Sequence, residues 1–130
     1  MYFVKKTYGH ERGLSCCFRQ WKVSSHCRLL HGYSLSFAFM FRCNDLDDRN
    51  WVYDFGGLGW LKDFLSEHFD HTMVIAADDP ELESLKALQD KGLCRLLILP
   101  AVGCEKFAEF VYKYVAPKVY SETKGRTRLM

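Results

Sequence analysis

The chain has 130 residues, 48% of them hydrophobic, and its 18 Lys and Arg against 16 Asp and Glu give a formal net charge of +2. This length suits one domain whose core needs no disulfide or metal staple, and no apolar run approaches the roughly 20 residues that a membrane-spanning helix requires. Six cysteines, Cys16, Cys17, Cys27, Cys43, Cys94 and Cys104, form no C-x-x-C pair and follow no charged-then-apolar leader, so they read as reduced thiols of a cytoplasmic protein.

In chain order, Tyr2 to Tyr8 has strand composition and ends near His10-Glu11-Arg12-Gly13. Leu14 to Trp21 continues it after a bend at Gly13, and the loop Lys22 to His26 follows. From Ser34 to Cys43, Leu35, Phe37, Phe39 and Phe41 alternate with Ser34, Ser36, Ala38, Met40 and Arg42, which predicts one long strand with an apolar face against helices. The Asp-rich stretch Asn44 to Asn50 turns the chain. Asp54 is placed to N-cap a helix carrying Leu58, Leu61, Phe64, Leu65 and Phe69 on one stripe.

Asp79-Pro80-Glu81 combines a cap, a first-turn proline and an acid, so it starts a short helix reaching about Lys91. Leu93 to Leu99 reads as a strand. From Gly103 a second amphipathic helix carries Phe107, Phe110, Val111 and Tyr114 and stops at Pro117. Strands and helices are segregated, which predicts an α+β domain over residues 1–117, an antiparallel sheet with two main helices packed on one face. Residues 118–130, with Lys118, Lys124, Arg126 and Arg128, form a basic C-terminal segment, read as a solvated tail or a phosphate-contacting one. The other basic residues are scattered. Without a basic stripe or a stacking platform, nucleic acid is not an expected partner.

The most distinctive segment is Cys27-Arg28-Leu29-Leu30-His31-Gly32-Tyr33. It resembles the C-x-x-x-H-G-H signature of the 6-pyruvoyl-tetrahydropterin synthase / 6-carboxytetrahydropterin synthase family. Three further segments resemble that family in order. Val52-x-Asp54-Phe55-x-x-Leu58 matches its V-x-D-F-x-x-L, Phe69-Asp70-His71 its L-D-H, and Gly103-Cys104-Glu105-Lys106-Phe107-Ala108 its P-T-x-E-N-x-A. The resemblance spans about Leu14 to Val115.

The resemblance implies a tunnelling-fold (T-fold) subunit in a homo-oligomer whose pocket lies between chains. It also implies a lyase acting on 7,8-dihydroneopterin triphosphate or a related pterin, in pterin or 7-deazaguanine (queuosine-type) biosynthesis. Cys27 would be the catalytic base, assisted by Asp70 and His71 of a neighbouring subunit. Tyr33 and Glu105 would touch the flat pterin or purine-like ring, and zinc would polarise the substrate's hydroxyls. The family's three zinc histidines, however, fall on Phe18, His31 and Tyr33, with Leu14-Ser15-Cys16-Cys17-Phe18 standing where the family has F-x-A-x-H. Catalytic zinc generally takes three protein ligands, so His31 would need Cys16 or His26 beside it. The alternative is a catalytically inactive, metal-free T-fold module that binds a pterin, purine, nucleotide or protein partner.

The family closes its sheet with a hairpin carrying a glutamate that grips the pterin. Residues 118–130 are read as the start of such a hairpin, cut short, and Glu122 in Ser121-Glu122-Thr123 has the right neighbours but comes soon after Pro117. Plainer readings stand beside these. Cys27 is also a loop thiol, His31 a hydrogen-bonded structural histidine, Asp70-His71 a helix end, Glu105 a helix-dipole partner, and Phe18 and Tyr33 core or pocket-wall aromatics.

Overall fold

The computed structural model describes residues 1–9, 11 and 13–130. The bend expected around His10 to Arg12 therefore lies partly outside the described residues. Among the described residues, seven strands and three α-helices follow one another as β1 (Tyr2–Tyr8), β2 (Ser15–Phe18), β3 (His31–Ser34), β4 (Phe37–Cys43), α1 (Gly59–Phe69), β5 (Thr72–Ala76), α2 (Leu82–Asp90), β6 (Leu96–Leu99), α3 (Cys104–Glu122) and β7 (Arg128–Leu129). The strands form a three-stranded sheet, β1-β4-β7, and a four-stranded sheet, β3-β2-β5-β6. The architecture is the expected α+β one. The three-stranded sheet and the β2–β3 pair are antiparallel, while β5 joins β2, and β6 joins β5, in parallel.

The alternation read from Leu35 to Phe41 is the physical basis of β4. Phe39, Phe41 and Cys43 are buried and Ala38 and Met40 are exposed. The strand is interrupted at Leu35 and Ser36, so His31–Ser34 pairs with β2 and Phe37–Cys43 with β1. Leu61, Phe64, Leu65 and Phe69 are the buried stripe of α1. Asp54 does not cap this helix. Its carboxylate accepts from the Gly56 amide at 2.9 Å and caps a single 3-10 turn, Phe55–Gly57, because Gly56, Gly57 and Gly59 favour a tight turn over a helical one there.

Phe107, Val111, Val115 and Val119 line the buried side of α3, and this spacing carries the helix past Pro117 to Glu122. A proline inside a helix removes the hydrogen bond to the carbonyl four residues back and costs about 3 kcal/mol. Pro117 and Lys113 are both exposed, so water can take that carbonyl, and burial of Val119 favours continuing the helix. The expected boundary at 117 is thus crossed by continuous helix. The end of the chain is tied down: the Thr127 hydroxyl donates to the Val52 carbonyl at 2.7 Å, and Leu129 and Arg128 pair with Phe41 and Arg42. Residues 118–130 form helix, turn and strand in place of a solvated tail. One core, shared by both sheets, α1 and α3, runs from Tyr8 to Leu129, and α2 buries only Leu85, outside it. Among the described residues, no helix is long and apolar enough to cross a membrane.

Candidate functional site

The hairpin of β2 and β3 sets the geometry of the motif, with Phe18 opposite His31 and Cys16 opposite Tyr33. Residues two apart on a strand share a face, so Phe18, His31 and Tyr33 converge. Phe18 and Tyr33 stack with ring centroids 4.2 Å apart, His31 lies 4.6 Å from Tyr33, and Phe107 of α3 meets Phe18 edge-on at 4.9 Å. Phe18 is buried; His31 and Tyr33 are half-buried. The His31 Nδ1 lies 2.8 Å from the Leu29 carbonyl, a contact that requires the proton on Nδ1 and leaves Nε2 as the free nitrogen. Burial, and then the neighbouring thiols of Cys27, Cys104, Cys17 and Cys16, push the Tyr33 phenol above its ordinary value, so it stays protonated.

Cys27 sits on the 3-10 turn His26–Arg28, whose cap is Ser25; its carbonyl accepts from the Gln20 amide at 2.8 Å. Arg19 holds this turn to the body of the protein. Its Nε donates to Asp79 at 2.8 Å and its Nη1 to the Arg28 carbonyl at 3.4 Å. The Asp79 side chain is only 1% exposed, and the Arg19 guanidinium keeps its carboxyl below the usual range in spite of burial. Asp79 also accepts from the Glu81 amide at 2.9 Å, ahead of α2. Glu105 is exposed in the first turn of α3. A Cβ at Gly103 would lie 3.7 Å from both Glu105 and Gln20, which places Glu105 on the Gln20–Cys27 side.

Asp70 and His71 stand elsewhere in the chain. They follow α1, where Asp70 accepts from the Ser15 amide at 2.9 Å and contacts His71 Nδ1 at 3.0 Å. Burial raises the Asp70 carboxyl, but the Ser15 amide and His71 outweigh it and bring it below its ordinary value. In the parallel β2–β5 ladder Thr72 opposes Cys16 and Val74 opposes Phe18. The Asp70–His71 pair is therefore at the Ser15 end of β2, and the aromatic cluster with Cys27 is at the Phe18 end. Three residues of strand, about 10 Å, separate them. Within one chain, the predicted residues form two groups.

Zinc can be tested against the donor set. Among the described residues, no three His, Cys, Asp or Glu are placed to share a metal ion. Cys16 and His26, the residues expected to stand beside His31, are not grouped with it among the described residues. Cys16 is a core residue whose thiol burial pushes up to about 12, and His26 is exposed on the turn. One imidazole, set beside Tyr33 where Tyr33 stacks on Phe18, is short of the three protein ligands that a catalytic zinc generally takes.

A pairing that no motif signals joins the Tyr53 hydroxyl to Glu122 Oε2 at 2.6 Å, in a cleft of about 630 Å³ also lined by Asp47, Arg49, Lys124 and Arg126. Burial, then the Glu122 carboxylate, drives the Tyr53 phenol strongly upward. These partners are 69 residues apart, so no local pattern signals them.

The fold defined by these sheets, with α1 and α3 over the core, is that of a tunnelling-fold (T-fold) subunit. The model of the 6-pyruvoyl tetrahydropterin synthase family matches residues 9–129, and the chain belongs to that family. Among solved structures, an uncharacterized protein, WS1659, from Wolinella succinogenes has the same fold, with a TM-score of 0.80 and 19% identity over 98% of this chain and 88% of that one. No curated protein matches the sequence.

Proposed function

We propose that this family member is a metal-free module that binds a pterin or purine-like heterocycle between chains of a homo-oligomer. The observation that carries the reading is the Phe18–Tyr33 stack at 4.2 Å, two rings where the family's zinc chemistry needs two imidazoles. The half-buried Tyr33 and His31 rings offer a flat ligand a surface to stack on. Glu105 and the free His31 Nε2 offer polar contacts at its edge. A cytoplasmic location goes with the six free thiols.

A second reading, the zinc-dependent lyase acting on 7,8-dihydroneopterin triphosphate, is favoured by one observation. The Asp70–His71 pair is intact, with the imidazole 84% exposed and open to a neighbouring chain. There it would take a proton relayed from Cys27, a thiol that reacts as its thiolate.

Metal analysis of protein purified without an affinity metal separates the two. The expected result is no stoichiometric zinc in the wild type and zinc uptake by the double variant Phe18→His/Tyr33→His, with binding of a dihydropterin by the wild type but no turnover. Stoichiometric zinc in the wild type, lost in His31→Ala, would establish the lyase reading instead.

A further inference from the structure

The seam between α1 and α3 opens on the side turned away from the core. Leu61, Leu65 and Phe69 of α1 and Val111 and Val115 of α3 are buried, while Asp63, Glu67 and Tyr114 are exposed. Residues four apart on a helix stand one above the other. Trp60, Phe64 and His68 therefore meet Tyr114 and Phe110 across the seam in an antiparallel ladder of rings. Phe64 and Tyr114 are parallel with centroids 3.9 Å apart, Trp60 lies 6.2 Å from Tyr114, and His68 lies 5.6 Å from Phe110. The ladder lines a groove of about 490 Å³, a volume typical of small-molecule sites, and Asp63 and Glu67 line it too.

These two carboxylates are not neutralised. Among the described residues, neither makes an ion pair. Like charges at i and i+4 repel along a helix, and Glu67 stands in the last turn of α1, where the helix dipole disfavours an anion. The lysines of α3 are engaged elsewhere. Lys106 and Lys113 pair with Glu109 at 3.0 and 3.4 Å, and the Lys118 Nζ lies 4.4 Å from the centroid of the Trp60 ring. That last contact is itself an ammonium resting on a face of the ladder. Aromatic rings and unpaired carboxylates lining one groove are complementary to a cation with an apolar body.

Two features narrow the cation. The Cβ atoms of residues one helical turn apart are separated by about 5–6 Å, a spacing that the propyl and butyl segments of polyamines set between successive ammoniums. A metal ion would find no third ligand, since no three His, Cys, Asp or Glu among the described residues are placed to share one. We infer that an aliphatic polyamine is the ligand of this groove, with one ammonium on Asp63, the next on Glu67 and the methylenes along the Phe110 and Tyr114 rings. The groove shares no residue with the Phe18–Tyr33 site, so this inference stands apart from the heterocycle reading.

Isothermal titration calorimetry of the full chain with spermidine, at about 50 and 150 mM NaCl, tests this. Saturable binding of one spermidine per chain is expected, weaker at the higher salt. Asp63→Asn and Glu67→Gln are each expected to weaken it about threefold, and the double variant about tenfold. Tyr114→Leu is expected to cost about threefold. Both carboxylates are exposed, so thermal unfolding of their variants should be unchanged or raised, which separates loss of the site from loss of the fold. No saturable binding at the lower salt, or binding unaltered in Asp63→Asn/Glu67→Gln, overturns the proposal. Displacement of spermidine by Mg²⁺ at equal charge concentration does so too, because it would reduce the groove to a diffuse anionic surface. An oligolysine peptide displacing it at equal amine concentration would instead make the groove a protein-docking surface, and would overturn the proposal as well.

Discussion

The two ends of the β2–β5 ladder hold the two groups of residues that the family resemblance singles out, and they are built from opposite materials. At one end Phe18, Tyr33, His31 and Phe107 pack ring against ring, and Phe18 is buried. At the other, the Asp70 carboxylate accepts from the Ser15 amide and contacts His71 Nδ1, its carbonyl accepts from Arg95 and the Thr72 hydroxyl, and the imidazole is in solvent. The first end contributes to the core whatever it binds. The second contributes through polar contacts of Asp70, while the His71 ring is 84% exposed and buries nothing. Substitutions should therefore cost most stability at the first end, where rings are buried, and less at the second, where the imidazole is in solvent.

Phe18→Ala is the most direct way to break that contrast. It removes both ring contacts from a buried position and is expected to lower the unfolding free energy by about 3–5 kcal/mol, read by denaturant titration. An effect under about 1 kcal/mol would mean that the rings are a pocket wall and not core.

Asp79→Ala strands Arg19 and is expected to cost about 3 kcal/mol. It also loosens the turn that carries Cys27, which should raise the rate of Cys27 alkylation measured by mass spectrometry. Folding lowers the Asp79 carboxyl, so its stabilisation is fully present above the ordinary carboxylate value, near pH 4, and is lost as pH falls through the depressed one. The acid-side loss of stability should therefore be smaller in Asp79→Asn than in the wild type.

At the other end, Asp70→Asn should cost only about 1–2 kcal/mol, from a charge-assisted bond to the Ser15 amide that becomes a neutral one. Since folding also lowers the Asp70 carboxyl, part of the same acid-side slope should go with it. If Asp70→Asn proves as damaging as Phe18→Ala, the two ends are not different in kind.

Much of the fold was legible where one local rule acted alone. The parity of β4 follows from strict alternation, and the α1 stripe from three- and four-residue spacing. The failures mark places where two rules competed. Pro117 is a sound stop signal, yet Val115 and Val119 lie on the buried line of α3 and tertiary burial prevailed. Thr72–Ala76 has no alternation because four of its five residues are buried, on both faces, so β5 gave no periodic signal. The convergence of Phe18, His31 and Tyr33 was readable from the motif, because the resemblance sets all three at matching positions of one family and β2 and β3 pair them. The Tyr53–Glu122 bond was not, because its partners are 69 residues apart and no local pattern links them.

His71 has a backbone φ of 51°, in the left-handed region that glycine occupies most cheaply. Relief of that conformation and the extra chain entropy of glycine nearly cancel, so His71→Gly is expected to stay within about 0.5 kcal/mol of the wild type in a thermal melt. The β-branched substitution His71→Val has no such compensation. His71, like Asn50 and Lys124, therefore holds a conformation that glycine would adopt more cheaply, and here it does so with its imidazole in water. The ring can be deleted at position 71 without disturbing the scaffold that presents it.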